Sequence, residues 1–192
     1  MTQTCTPDAA TAAPRRFHWA LVTLALAWLP AEAVQVPLGE ELWRHGMTIR
    51  AEYLHPLAVD PDQPDPGGAD AYLQLNVHAQ RSNRQGFQKF SWVPYLTVRY
   101  RLQSADGRWS HEGVLPPTIA SYGPNYGANV RFNGYGRYRA SFRIEPPPAS
   151  LVRRQTGRQT GVQPWWEPLE VEWEFDYLGP GKKTGVGGSG GY

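Results

Sequence analysis

The sequence predicts an all-β, immunoglobulin-like β-sandwich of about seven or more antiparallel strands, and three observations predict it. Apolar and polar residues alternate with period two in several separate stretches. The clearest, Leu169–Tyr177 (LEVEWEFDY), puts Leu169, Val171, Trp173, Phe175 and Tyr177 on one face and four carboxylates on the other. The 18 Pro and 20 Gly punctuate these stretches with turns. The 8 Trp, 10 Tyr and 6 Phe then provide the bulk that two facing sheets need between them. A chain of 192 residues accommodates one such domain with a targeting segment and a tail.

Residues 1–33 read as that targeting segment. Arg15 and Arg16 precede an apolar run from Trp19 to Leu29, which Pro30 and the small-residue sequence Ala31-Glu32-Ala33 close. This order describes a secretory signal peptide cleaved after Ala33, and the run is shorter than the roughly 20 apolar residues a spanning helix needs. An uncleaved anchor is the competing reading, and the long stretch ahead of the arginines also fits a start codon downstream of Met1. Arg15-Arg16-Phe17 matches a twin-arginine signal only loosely. Cys5 falls inside the leader, so the exported chain is expected to carry neither a disulfide nor a thiolate ligand.

From Val34 the elements follow in order. Met47–Leu54 (MTIRAEYL) is a first strand with mixed faces. Residues 59–68 (VDPDQPDPGG) form an acidic loop, and its prolines keep Asp60, Asp62 and Asp65 from closing round calcium. Ala71–Ala79 (AYLQLNVHA) alternates cleanly, with Tyr72, Gln74, Asn76 and His78 as a polar row. Residues 91–102 make a strand in which Pro94 signals an edge or a bulge, and Ala105-Asp106-Gly107 turns the chain into a strand over 108–115 that Pro116-Pro117 ends. Residues 121–147 read as a hairpin: a Gly-Pro-Asn-Tyr-Gly turn at 123–127, a short strand through Val130 and Phe132, an Asn-Gly-Tyr-Gly turn, and a strand through Tyr138, Ala140, Phe142 and Ile144. Residues 151–163 have no apolar period and read as a loop. The tail, 179–192, is Gly-rich. The domain boundaries predicted are therefore 1–33, 34–178 and 179–192.

Charge and motifs narrow the function classes. A net charge of +2 argues against a nucleic-acid partner. The carboxylate row of 169–177 lies on the polar face of a regular strand, where Arg131, Arg137, Arg139 and Arg143 can neutralise it, so it reads as a salt-bridged surface rather than a catalytic pair. No phosphate loop, G-x-S-x-G or H-E-x-x-H motif occurs, and the histidines after the leader, His45, His55, His78 and His111, are not spaced as ligands. An enzyme is not predicted. His78 is singled out because it shares a face with Tyr72, Gln74 and Asn76.

Several longer motifs resemble one known family. They are Leu73 to Ala79 in an L-x-x-x-[IV]-H-A frame, Trp92-Val93-Pro94-Tyr95-Leu96-Thr97-Val98, Gly123-Pro124-x-Tyr126-Gly127-x-Asn129-Val130, Gly134-x-Gly136-x-Tyr138, Pro146-Pro147, Thr160-Gly161-Val162-x-Pro164-Trp165-Trp166 and Gly181-Lys182-Lys183. From Gly46 to Lys183 the chain is similar to the periplasmic iron-transport accessory proteins. These accompany high-affinity iron permeases and include a lactoferrin-binding membrane antigen of spirochaetes. The resemblance implies an immunoglobulin-like fold, export to the periplasm, a homodimer, an inner-membrane iron permease as partner, and a copper site near the dimer interface with an additional site for iron or a surrogate ion.

At the positions that match the family's metal ligands, the residues differ. Where the family's strand carries His, Glu and Asp ahead of a final His, this chain has Tyr72, Gln74 and Asn76, and only His78 remains. Thr118 stands for the ligand Met, Asn125 for the His of the glycine turn, Gln155 for a His after Arg154, and Tyr122 for an Asp. Imidazole and thioether select copper, whereas these residues offer neutral oxygens or a phenol. The expectation is a polar cluster of Tyr72, Gln74, Thr118, Asn125 and Gln155 that has lost copper and has no carboxylate to balance a dication. Two readings follow: an iron-uptake accessory with its copper site degraded, or a metal-free binding or interaction module that keeps only the scaffold.

Overall fold

A computed structural model describes residues 34–61 and 68–179. The predicted leader and all but the first residue of the predicted tail lie outside the described residues. The described residues form ten strands: β1 (Val36–Pro37), β2 (Leu42–Arg44), β3 (Met47–Leu54), β4 (Ala71–Ala79), β5 (Thr97–Ser104), β6 (Ser110–Leu115), β7 (Pro117–Ala120), β8 (Gly123–Val130), β9 (Gly136–Glu145) and β10 (Leu169–Tyr177). They build two antiparallel sheets. One runs β1-β3-β4-β8-β7, with β2 also paired to β3, and the other runs β10-β9-β5-β6. Both inner faces carry the apolar half of the alternation. Met47, Ile49, Ala51 and Tyr53 of β3 and Leu73, Leu75 and Val77 of β4 meet Val98 and Leu102 of β5, Phe142 and Ile144 of β9, and Val171 and Trp173 of β10. Burying a side chain of this size contributes roughly 1.5–3 kcal/mol. One end of the core is aromatic: Phe132 stacks on Tyr177 with ring centroids 3.9 Å apart, and Tyr53, Tyr138 and Phe175 pack edge-on or tilted around the pair.

Local chemistry explains the turns. Arg44 pairs with Met47, leaving His45 and Gly46 as a two-residue loop with both φ angles positive (50° and 73°), the form that matches strand twist. Between β5 and β6, Asp106 accepts hydrogen bonds from the Ser104 hydroxyl and the Arg108 amide and fixes the turn foreseen there. On the outer face of the second sheet, Arg137 and Arg139 both reach Glu174, at 3.2 and 2.8 Å, and Arg143 reaches Glu170 at 3.1 Å. Arg131 is not part of that arrangement, because it lies in the crossover between β8 and β9.

The predicted hairpin over 121–147 is not one. β8 belongs to the first sheet and β9 to the second, so residues 131–135 cross the sandwich instead of folding back. Val130 of β8, Phe132 of the crossover, and Tyr138 and Phe142 of β9 all point inward, so alternation alone could not tell pairing partners from facing layers. Gly123–Gly127 is not a turn either. It is the first half of β8, hydrogen-bonded to β4 and β7, and the actual turn is Ser121-Tyr122. The strand predicted over 91–102 begins only at Thr97, after positive φ angles at Phe90 and Tyr95 and a single bridge from Trp92 to His78. The prolines after β6 do not stop the chain. They carry it into β7, which pairs in the opposite sheet.

Candidate functional site

The outer face of the first sheet is polar at the level of β4 but, in its first half, not exposed. Tyr72, Gln74 and Asn125 are buried, with Glu52 buried beside them. Sheet register explains why they meet. Gln74 lies opposite Glu52 of β3 on one side and Gly127 of β8 on the other, while Thr118 of β7 lies opposite Asn125 of β8. The Tyr72 side chain runs diagonally over Gly127, where an added Cβ would sit 2.5 Å from its Cε1, and its hydroxyl donates to Asn125 Oδ1 at 3.3 Å. Burial raises the Tyr72 pKa, opposed by hydrogen bonding to Thr118, so the phenol stays protonated at neutral pH.

Beside this trio runs a second chain of bonds. Tyr122 donates its hydroxyl to Gln74 Oε1 at 3.0 Å, Gln74 Nε2 donates to Glu52 Oε1, and Asn76 Nδ2 donates to the same oxygen at 2.8 Å. Glu52 corrects the expectation that no carboxylate remained. Its signal was present in the sequence: in Met47–Leu54 the inward set is Met47, Ile49, Ala51 and Tyr53, which leaves Glu52 on the face of the β4 polar row. Tyr122 has its own pKa raised, by burial first and then by the charge of Glu52.

Above the trio lies a recess of about 820 Å³. One wall is the segment 57–61, fastened by Asn129, whose Oδ1 accepts the Leu57 amide at 3.0 Å and whose Nδ2 donates to the Leu57 carbonyl at 2.7 Å. The other wall is Pro116 to Ala120, and Tyr122 stands at the rim. Tyr72, Thr118 and Asn125 supply the polar floor. Gln74 lies next to it and is fully engaged. Gln155 is not brought in: it is exposed on the loop after β9, where its carbonyl accepts the Val162 amide.

His78 sits further along the same face, half-buried, in a separate recess of about 390 Å³ with Thr48, Arg50, Asn76 and Phe90. Its pKa is lowered, mainly by burial and then by Arg50, with Glu41 opposing, so the imidazole is neutral at pH 7. Among the described residues no three His, Cys, Asp or Glu side chains gather where they could hold one ion.

The donor set around the trio does not fit copper. Two amides, a hydroxyl and a protonated phenol are weak, neutral donors, and the nearby carboxylate oxygen is already taken by two amides. The Asn125 amide nitrogen is buried without a partner. A bare N–H donor repels a cation, so this unfilled valence on the floor has the wrong polarity for a metal.

Comparison with known proteins adds to this geometry. A family model described as Fe2+ transport protein matches residues 32–179. A UPF0423 protein of Brucella abortus is 36% identical over 167 residues, covering 84% of this chain and 91% of that protein. The 34 kDa membrane antigen of Treponema pallidum is 32% identical over 154 residues, 76% of each chain. Among solved structures, FetP of uropathogenic Escherichia coli is 39% identical with a TM-score of 0.72, covering 76% of this chain and 97% of FetP. The copper-reconstituted P19 protein of Campylobacter jejuni is 35% identical with a TM-score of 0.73, covering 78% and 99%. With a family model along most of its length and relatives this similar over three quarters of it or more, the chain belongs to the Fe2+ transport protein family, the periplasmic copper- and iron-transport accessory proteins of the FetP and P19 kind.

Proposed function

We propose that this protein is a non-catalytic periplasmic accessory of high-affinity iron uptake in which the copper site of its relatives has been replaced by a neutral hydrogen-bonding cluster. The observation that carries the reading is the conjunction of a family match over residues 32–179 with the set Tyr72, Thr118 and Asn125, bonded to one another at positions that the resemblance aligns with the family's metal ligands. In this reading Gln74 and Gln155 are substituted ligand positions too, and His78 is a leftover of the original row. The chain is exported with residues 1–33 as its signal peptide, 34–178 as the folded domain and 179–192 as a tail. It works as a homodimer beside an inner-membrane iron permease.

An immunoglobulin-like description of the sandwich is part of the same proposal. Two features support it. Lettered in chain order from β3 as A, the sheets read A-B-E-D and G-F-C, with β6 as an added strand beside C. Near the start of the F strand, Tyr138 donates its hydroxyl to the carbonyl of Gly134, four residues upstream, at 2.8 Å, which is the tyrosine corner of such folds.

The test is metal analysis of protein purified from the periplasm, followed by titration with copper, manganese and ferrous iron. Copper well below one equivalent is the expected result. Tight one-to-one copper binding that Asn125→Ala abolishes would overturn the reading. The second reading, a metal-free interaction module, is favoured by the same exchanged donors, and it gains the field if deletion of the gene leaves iron uptake unchanged.

A further inference from the structure

We propose that the free edge of β10 takes an added strand from another protein, an extended segment with Lys or Arg at every second position. This edge belongs to the sheet opposite the lost copper site, so the two readings stand or fall separately.

Three observations carry it. The first is the edge itself. β10 ends the second sheet, all nine of its residues pair one to one with β9, and among the described residues no strand or backbone hydrogen bond meets its other side. A row of backbone donors and acceptors this long and regular is a template for a further strand. Edges are commonly blunted by proline, by a bulge or by shortness, and Leu169–Tyr177 has none of these.

The second is where the charge lies. On the outer face of this sheet the arginines of β5 and β9 sit inside, and Glu170, Glu172, Glu174 and Asp176 line the edge. Glu174 is held by Arg137 and Arg139, and Glu170 by Arg143. Glu172 stands opposite Ser141, and neither it nor Asp176 has an ion-pair partner among the described residues. An added strand sets its outward side chains directly across from this row, where Lys or Arg meets the carboxylates that β9 leaves unpaired. The third is what the row excludes. Two copies of this edge meeting antiparallel would set carboxylate against carboxylate, so the chain is kept from pairing with itself here. Val171, Trp173 and Phe175 turn into the core, so the other side chains of an added strand extend an apolar layer.

The probe is a synthetic peptide of β10's length that alternates Lys and Val, titrated into the isotopically labelled protein and followed by amide NMR and hydrogen exchange. Backbone signals of 169–177 are expected to shift, and amides on the free side of β10 to exchange at least about tenfold more slowly once the peptide saturates. The fully N-methylated peptide has the same charge without backbone donors and should bind about tenfold more weakly. Glu172→Gln together with Asp176→Asn removes two exposed carboxylates that make no ion pair in the folded chain, so the protein should keep its stability while the peptide binds about fivefold more weakly. The proposal is overturned if the peptide does not bind, if its N-methylated form binds equally, which leaves ionic attraction only, or if the shifts fall on β6 or β7 instead. It is overturned as well if protection of β10 rises with protein concentration in the absence of peptide, which makes a second copy the occupant.

Discussion

Gly127→Ala tests the architecture of the site most directly. Gly127 lies inside β8 with ordinary strand geometry, so adding a methyl group strains nothing in the backbone. It does collide with Tyr72. The new Cβ would lie 2.5 Å from Tyr72 Cε1 and closer still to the hydroxyl end, against the 3.4–4 Å of ordinary contact, so the ring must move by an ångström or more. Tyr72 is 1% exposed, and any shift of its ring breaks the hydroxyl's bond to Asn125 Oδ1. Overpacking of this kind costs about 1–3 kcal/mol. Loss of the bond to Asn125 adds about 1 kcal/mol. Reduced freedom of the unfolded chain offsets about 0.4–1 kcal/mol. The net loss is about 1–3.6 kcal/mol, or a fall in Tm of roughly 3–12 °C for a domain of this size. Thermal and urea unfolding of the single variant, of Tyr72→Ala, and of the pair would measure it. Because removing the ring removes the clash, the pair should be less destabilised than the sum of the singles by at least about 1 kcal/mol. Additive costs, or a Gly127→Ala protein as stable as the parent, would refute the claim that Tyr72 occupies the space over Gly127.

Two further substitutions probe other parts of the molecule. Tyr138→Phe removes the hydroxyl that holds the Gly134 carbonyl at 2.8 Å while keeping the ring in the aromatic end of the core, and should lower unfolding stability by about 1–2 kcal/mol in a urea melt. His78 has a folded-state pKa below its ordinary value, so the unfolded chain takes up its proton first as pH falls. Its effect on stability is absent well above pH 6.5, where both states are neutral, and becomes a loss as pH drops through about 6.5 toward the folded value. Replacing it in His78→Gln should flatten the stability profile between about pH 7 and 5, and an unchanged slope would show that Arg50 and burial do not act on it as described.

The sequence displayed its strands more readily than their partners. β3, β4 and β10 were legible to the residue, β4 and β10 because each alternates over nine positions with one apolar face, and β3 because a run rich in β-formers ends at the His-Pro after Leu54. The pairing of β8 with β4 was not, because Tyr126, Ala128 and Val130 face the core from one sheet and Tyr138 to Ile144 face it from the other. Inward residues look alike from either side. β1, β2 and β7 are too short to show a period. At the site, Tyr72, Gln74, Thr118 and Asn125 were found through the motifs around them. Glu52 was missed because it is one charge in a mixed strand, and only register reveals that it sits opposite Gln74. Gln155 was placed with the others by motif position, and within the single chain it is exposed and does not line the recess.

The single residue between β6 and β7 also matters for how the two layers can move. Leu115 ends in one sheet and Pro117 begins in the other, so Pro116 is a covalent rivet along that long side of the sandwich. Along the opposite side, the Trp173 indole of β10 donates to the Glu40 carbonyl at 2.8 Å and lies flush against Gly39, acting as a clasp between the layers. With both long sides tied, sliding of one layer over the other has to break the Trp173 bond or strain the Pro116 link. Motion that admits or releases anything is left to the ends and to the outer face, where the walls of the recess stand.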